Sequence, residues 1–268
     1  MIFDELRKIE KEDDRVKALY EIFDEDKRLN SSKAKRVEFL TTVKYIEKYL
    51  ECGSKILDLG AGAGEYSLHL AQKGFEVTAV ELSERNIESF RKKLQPEYKI
   101  NLMQGNACDL SAFADSSFDM VLLLGPLYHL ADAEERNKCI QEAKRVCKTG
   151  GMIFSAFISN DMVILTELFC YNKDYFKGNT YDHESFKVGD FPFVFFTVEQ
   201  ARQMLLDEGI NIIHEVAADG VSELLAEKIN DLDDESYNQY LNYHFYCCEK
   251  PEMLGRSSHL LFVARKMG

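Results

Sequence analysis

The stretch that decides the fold is Ile56-Leu57-Asp58-Leu59-Gly60-Ala61-Gly62-Ala63-Gly64-Glu65. Its apolar first half predicts a strand, its three alternating glycines predict a tight turn, and an amphipathic helix follows. Glycine permits positive φ angles and, because it has no Cβ, lets a ligand approach the backbone. Doubly wound sheets bind nucleotides at the carboxyl end of the first strand, so this turn is a candidate nucleotide site.

Outward from the turn, short apolar runs alternate with helical stretches, which is typical of βαβ units on a parallel sheet. Strands are predicted at 55–59, 75–80, 99–103, 119–124, 152–157, 210–216 and 259–265. Helices are predicted at 31–50, 64–73, 83–94, 132–148, 197–208 and 234–248. The fold class is therefore α/β, with a doubly wound, mostly parallel, seven-stranded sheet. Residues 1–50 are expected to form an N-terminal helical segment that packs on a main domain, 51–268.

Residues 158–196 interrupt the alternation and are rich in aromatic side chains. Between Phe154 and Phe196 lie 12 of the 31 aromatic residues of the chain. Because so long a stretch between a strand and a helix is rarely an idle connector, we interpret it as a lid over the sheet. Its rings could line a dry substrate pocket or form a small core of the insertion itself, and the sequence allows both.

The composition disfavours nucleic acid and membrane partners. The 268 residues include 33 basic and 46 acidic side chains, which gives a net charge of −13 and a pI near 5.0. Such a surface repels phosphate backbones and anionic lipid. The seven cysteines lack metal or redox spacing, and no apolar run reaches the ~18 residues of a membrane span. We therefore expect reduced cysteines, a cytoplasmic location, and no metal, membrane or nucleic-acid partner.

The acidic residues near the glycine turn indicate which of two classes of nucleotide ligand the site favours. A dinucleotide fingerprint requires glycine at position 65, where this chain has Glu65, and a carboxylate there opposes pyrophosphate. Asp58 would repel phosphate as well, whereas both acids suit a ligand with positive charge. Glu81, at the end of the second strand, can accept hydrogen bonds from both ribose hydroxyls. The pattern thus favours an adenosyl ligand without phosphate.

With these features, residues 55–157 resemble class I S-adenosylmethionine-dependent methyltransferases. The resemblance implies a Rossmann-like methyltransferase fold, S-adenosylmethionine as cofactor and, with the acidic pI, a small-molecule methyl acceptor. The implied cofactor-binding residues are Asp58, Gly60, Ala61, Gly62, Gly64, Glu81, Leu82, Asn106, Ala107 and Leu124.

The resemblance also implies a role for each group of residues. Asp58 and the turn would hold the methionine portion, and Leu82 would lie beside the adenine. Asn106 stands where the family often has an acid that contacts the adenine amino group, and Asp109 is a second candidate. Outside the residues that carry the resemblance, Tyr20, Arg36 and Tyr45 are expected to close over the carboxylate end of the cofactor, where Arg36 would pair with the carboxylate. The loop 124–129 would face both cofactor and acceptor.

Methyl transfer from a sulfonium is an in-line displacement, and orientation alone can supply up to ~7–11 kcal/mol. No catalytic group is therefore obligatory, but a base helps when the acceptor must lose a proton. His129 is the first candidate base, because imidazole titrates in the useful range, and His183 is the second. Tyr128 could line the methyl path. Two alternatives stay open: a non-catalytic S-adenosylmethionine-binding sensor or scaffold, and an NAD-linked oxidoreductase.

Overall fold

A central eight-stranded sheet carries the fold, and the computed structural model describes it within residues 5–23 and 25–268. The strands are β1 Lys55–Leu59, β2 Glu76–Glu81, β3 Ile100–Gln104, β4 Phe118–Leu123, β5 Cys147–Ser159, β6 Phe195–Phe196, β7 Asn211–Ala217 and β8 His259–Arg265. All seven predicted strands are present. The eighth, β6, is a two-residue strand that extends the ladder along the end of β5.

The strand order is β3-β2-β1-β4-β5-β8-β7, with β6 paired to β5 outside this path. Strands β1 to β5 run parallel, whereas β8 lies antiparallel between β5 and β7. The interior strands read as near-continuous apolar runs because helices cover both faces of the sheet. The predicted doubly wound, mostly parallel sheet is confirmed.

Helices connect and flank the strands. They are α1 Glu12–Tyr20, α2 Lys33–Tyr49, α3 Glu65–Gln72, α4 Glu84–Arg91, α5 Ala133–Val146, α6 Asn160–Thr166, α7 Val198–Asp207, α8 Ala226–Asn230, α9 Asp234–Cys247 and α10 Pro251–Leu254. Several of them begin at residues whose side chains cap the helix. Ser32 caps α2, and Thr197 with Gln200 forms the capping box of α7.

One edge of the sheet gathers the residues of interest. The carboxyl ends of β1, β2, β3 and β4 meet there, as they must in a parallel sheet. His259, the first residue of β8, pairs with Ile158 near the end of β5 and lies at the same edge. Within the described ranges, none of the helices is both long and apolar enough to cross a lipid bilayer.

Candidate functional site

The glycine turn forms as the sequence predicts, between β1 and α3. Gly60, Gly62 and Gly64 all adopt positive φ angles, of 68°, 55° and 88°. At Gly64, which begins α3, an added Cβ would lie 2.4 Å from the Phe90 ring. Only glycine satisfies both the backbone angle and the packing at this position. The turn is therefore fixed by its surroundings and offers bare backbone to the groove.

Glu81 lies buried at the end of β2, directly beside this turn. One carboxylate oxygen accepts the N–H of Gly62 at 2.8 Å, and the other accepts the N–H of Ser83 at 2.8 Å. Burial raises the pKa of this carboxyl group, and the backbone donors oppose the shift. Each carboxylate oxygen can accept more than one hydrogen bond, so acceptor capacity is left for hydroxyl groups.

Asp58, on β1, is the second buried carboxyl group of the turn. Its Oδ2 accepts the hydroxyl of Ser67 at 2.6 Å. Burial raises its pKa to about 6, although the Ser67 hydrogen bond acts in the opposite direction. Ser67 is a contact that sequence analysis missed, because nothing in its local pattern marks it as the partner of a strand residue.

The loop after β3 is tied to the N-terminal segment, by which we mean residues 5–23 and 25–32. Asn106 accepts the N–H of Cys108 at 2.8 Å, and its amide group donates to both oxygens of Asp13 at 3.0 Å. Its oxygen, expected to face the adenine, thus already holds one bond. Asp109, the other candidate, is exposed and bonds the N–H of Ser111. Ala107 and Leu82 are partly buried at the same edge.

The loop after β4 places the two candidate catalytic residues in a buried aromatic environment. The ring of His129 lies 5.1 Å from Tyr128, 5.1 Å from Phe193 and 5.3 Å from Tyr20, between ring centroids. The Tyr128 hydroxyl donates to the carbonyl oxygen of Leu124 at 2.9 Å. Burial, with the nearby charge of Arg28, lowers the pKa of His129 to about 3, so this imidazole is neutral and titrates below the range expected from the sequence.

His183, the second candidate base, is not brought to this loop. It is exposed, its Nε2 bonds the carbonyl oxygen of Gly178, and its ring lies against Tyr181. These contacts lie within the insertion, because that part of the chain folds onto itself. Tyr175, Phe176, Tyr181 and Phe186 stack there, whereas Phe193 alone reaches both Tyr128 and His129.

The arginine nearer the turn is Arg28, whereas Arg36, which the sequence placed at the carboxylate of the cofactor, lies elsewhere, on α2. Arg36 is exposed on α2, where its charge acts on Tyr237 of α9. It points away because α2 presents its other face, with Glu38, to the site. Arg28 donates to Glu25 at 2.7 Å and to Glu38 at 2.9 Å. Glu25 in turn lies against the turn, 3.1 Å from where a Cβ of Gly62 would stand.

A partly buried ionic row extends from Arg28 to β8, and the sequence did not predict it. His259 Nδ1 lies 2.7 Å from Asp219 and 3.5 Å from Glu38, a spacing that would also suit a metal ion. Although burial alone would lower it, Glu38 and Asp219 raise the pKa of His259 to about 9. His259 is therefore protonated at neutral pH, and its positive charge lies beside both carboxylates.

Comparison with known proteins agrees with this geometry. Residues 57–155 match the family model of the methyltransferase domain. A putative methyltransferase of Bacillus subtilis is 33% identical over 111 residues, 41% of this chain and 44% of that protein. A demethylmenaquinone methyltransferase of Clavibacter sepedonicus is 38% identical over 101 residues, 38% of this chain and 40% of that protein. The aligned part thus spans less than half of either relative.

A solved structure extends the likeness of fold to most of the chain. The S-adenosylmethionine-dependent methyltransferase of Methanosarcina mazei superposes with a TM-score of 0.55 at 24% identity, over 83% of this chain and 97% of that one. The fold and the glycine-turn edge define an α/β domain of the methyltransferase type. Residues 57–155 are thus similar to a methyltransferase domain, and most of the chain shares the fold of an S-adenosylmethionine-dependent methyltransferase.

Proposed function

We propose that this chain transfers a methyl group from S-adenosylmethionine to a small acceptor that loses a proton. The observation that carries the proposal is the buried pair of carboxyl groups, Asp58 and Glu81, beside the bare backbone of the glycine turn. This cradle fits a cationic nucleoside and opposes a phosphate. Glu65 strengthens the point, because its carboxylate lies at the first turn of α3, where an NAD-type cofactor would place its pyrophosphate.

The chain's own residues divide the work of binding. We assign the ribose hydroxyls to Glu81 and the methionine portion to Asp58 and the turn, with Leu82, Ala107 and Leu124 toward the adenine side. We give Arg28 the role expected of Arg36, since Arg28 bonds Glu25, whose side chain lies against Gly62. The bound cofactor would supply a methyl group on a positively charged sulfur. The neutral imidazole of His129 is free to accept the proton of the acceptor.

A small molecule in the cytosol is the acceptor class we propose. The net charge of −13 disfavours nucleic acid, and the demethylmenaquinone methyltransferase among the relatives acts on a small molecule. Residues 158–196, through Phe193, together with the N-terminal segment would close the acceptor side over His129.

Isothermal titration with S-adenosylmethionine and S-adenosylhomocysteine tests the cofactor site. Both should bind, and Glu81→Ala should weaken binding because the ribose hydroxyls lose their acceptor. Glu84→Ala is the matched control, since Glu84 is exposed on the next helix and pairs with Arg91. No binding to the unaltered protein, or equal affinity in the Glu81 variant, would contradict the proposal.

Turnover against a panel of phenols, alcohols and amines then separates an enzyme from a sensor. Transfer of label from methyl-labelled S-adenosylmethionine to any acceptor supports the enzyme. Binding without transfer to any member of the panel would favour the non-catalytic module instead.

A further inference from the structure

The N-terminal segment contributes a direct contact to the candidate base. The Tyr20 hydroxyl lies 2.7 Å from Nε2 of His129, although the two residues are far apart in the chain. This position is well fixed. Glu12 accepts the N–H of Ala131, Asp13 binds Asn106, and Arg85 donates to the carbonyl oxygen of Tyr20 at 2.9 Å. The segment therefore docks on the loops after β2, β3 and β4 together.

The other nitrogen of His129 is left without a partner. Nδ1 is buried from solvent, and within the described residues no group bonds it. An unsatisfied buried polar atom costs ~1–3 kcal/mol, so native structures rarely keep one without a reason. A ligand that bonds Nδ1 would supply that reason, and the ring itself lies 5.1 Å from both Tyr128 and Phe193 between centroids.

A second tyrosine–histidine pair, Tyr49 with His214, provides a comparison in which the protein supplies all the hydrogen bonds of the imidazole. Tyr49 bonds Nε2 of His214 at 2.6 Å, and Glu249 bonds Nδ1 of the same ring at 2.6 Å. Both ring nitrogens of His214 are thus satisfied by protein. The pair of Tyr20 and His129 has the same first contact and lacks the second, which points to a partner from outside the chain.

Proton counting assigns the two nitrogens of His129. A phenol and a neutral imidazole carry two protons, and their mutual hydrogen bond uses one. If Tyr20 donated to Nε2, the remaining proton would be fixed on Nδ1 in the ring plane with no acceptor. If Nε2–H donates to Tyr20, the free proton is on a hydroxyl that can rotate. Burial, with the charges of Glu25 and Glu81, raises the pKa of Tyr20, so the hydroxyl keeps its proton.

We propose, on the basis of the function above, that Tyr20 is a positioning residue that holds His129 through Nε2–H and leaves the bare Nδ1 to take the acceptor's proton. As the acceptor's electron pair forms the bond to the methyl carbon, the carbon–sulfur bond breaks with its electrons on sulfur. The acceptor's proton moves to Nδ1. The imidazolium keeps its Nε2–H bond to Tyr20, which stabilises the new charge.

Nitrogen NMR of the imidazole rings tests this assignment without a known acceptor. In protein labelled with ¹⁵N-histidine and loaded with S-adenosylhomocysteine, His129 should show one protonated nitrogen, Nε2, and one bare nitrogen, Nδ1. His129→Gln identifies its signals among the six histidines. Tyr20→Phe should merge the two signals toward an average, because the tautomer is no longer held. Tyr49→Phe, which removes the matched phenol from His214, should leave them unchanged.

Two results would overturn the proposal: a proton on Nδ1 in the unaltered protein, or a tautomer that Tyr20→Phe does not change. Titration with S-adenosylhomocysteine shows whether each variant is folded. It also distinguishes failure of the proposed function from failure of the tautomer assignment. If the unaltered protein does not bind S-adenosylhomocysteine, the proposed methyltransferase function is contradicted, whereas the tautomer assignment is not. With an acceptor from the panel, Tyr20→Phe should lower kcat about tenfold, the effect of one buried hydrogen bond, at unchanged KM. An unchanged kcat would contradict the role.

Discussion

Glu81 and Gly62 are joined by a hydrogen bond of 2.8 Å from the backbone N–H of the turn to the carboxylate. The bond connects the carboxyl ends of β2 and β1, so the acid and the bare backbone form one rigid unit. A carboxylate fixed in this way binds hydroxyl groups with little reorganisation. The carboxylate and backbone groups that would contact a ligand are therefore already in position without one.

The pH dependence of cofactor binding should report Asp58. Its pKa is about 6 in the ligand-free site, and a cationic ligand favours the ionised form. Below pH 6 binding must displace a proton, so affinity should fall about tenfold for each further unit of pH. Isothermal titration between pH 5 and 7 measures this. Asp58→Asn should bind weakly with a flat profile, and a slope that persists in that variant would place the titrating group elsewhere.

The packing around Gly64 should make it intolerant of any side chain. Gly64→Ala adds a methyl group 2.4 Å from Phe90 at a φ of 88°. Gly74 has the same φ of 88° with nothing within 4 Å, so Gly74→Ala isolates the cost of the backbone angle. We expect about 1–2 kcal/mol for Gly74→Ala and several kcal/mol more for Gly64→Ala, measured by urea unfolding. Equal losses would mean that Phe90 moves aside.

Substitutions of Arg28 and Arg36 should differ in their effect on the affinity for the cofactor. Arg28→Gln should weaken binding of S-adenosylhomocysteine about tenfold, because the ligand carboxylate loses a charged hydrogen-bond partner. Arg36→Gln removes the same charge from an exposed position and should leave affinity unchanged. Titration calorimetry compares them directly. A larger effect at Arg36 would restore the assignment made from the sequence.

Because of the ionic row of Asp219, His259 and Glu38, the free energy of unfolding should decrease as the pH rises above neutral. The pKa of His259 is raised from 6.5 to about 9 in the folded protein. The interactions of protonated His259 with the two carboxylates therefore stabilise the folded protein fully below pH 6.5. This contribution to the free energy of unfolding, up to roughly 3 kcal/mol, is lost as the pH rises to 9. Thermal unfolding between pH 6 and 10 should show this slope, and His259→Gln should lack it. His69→Gln, which removes a partly exposed histidine, should keep it.

The sequence predicted the half of the site that is built from local signals. The glycine turn and Glu81 follow from strand, turn and helix patterns within one βαβ unit, so periodicity and residue type suffice. The sequence could not show that Arg28 lies nearer the glycine turn than Arg36, because the position of Arg36 depends on which face of α2 packs against the sheet. Nor could it find His259 with Asp219 and Glu38, which come together only when β8 inserts between β5 and β7.

The matched domain ends at residue 155 and begins at 57, yet Tyr20, Arg28, Glu38, Asp219 and His259 all lie outside it. The proposed site thus draws residues from the matched domain and from the segments on both sides of it. On the proposed assignment, changes in Tyr20 or Phe193 would alter the surroundings of His129 while the glycine turn and Glu81 stay as they are.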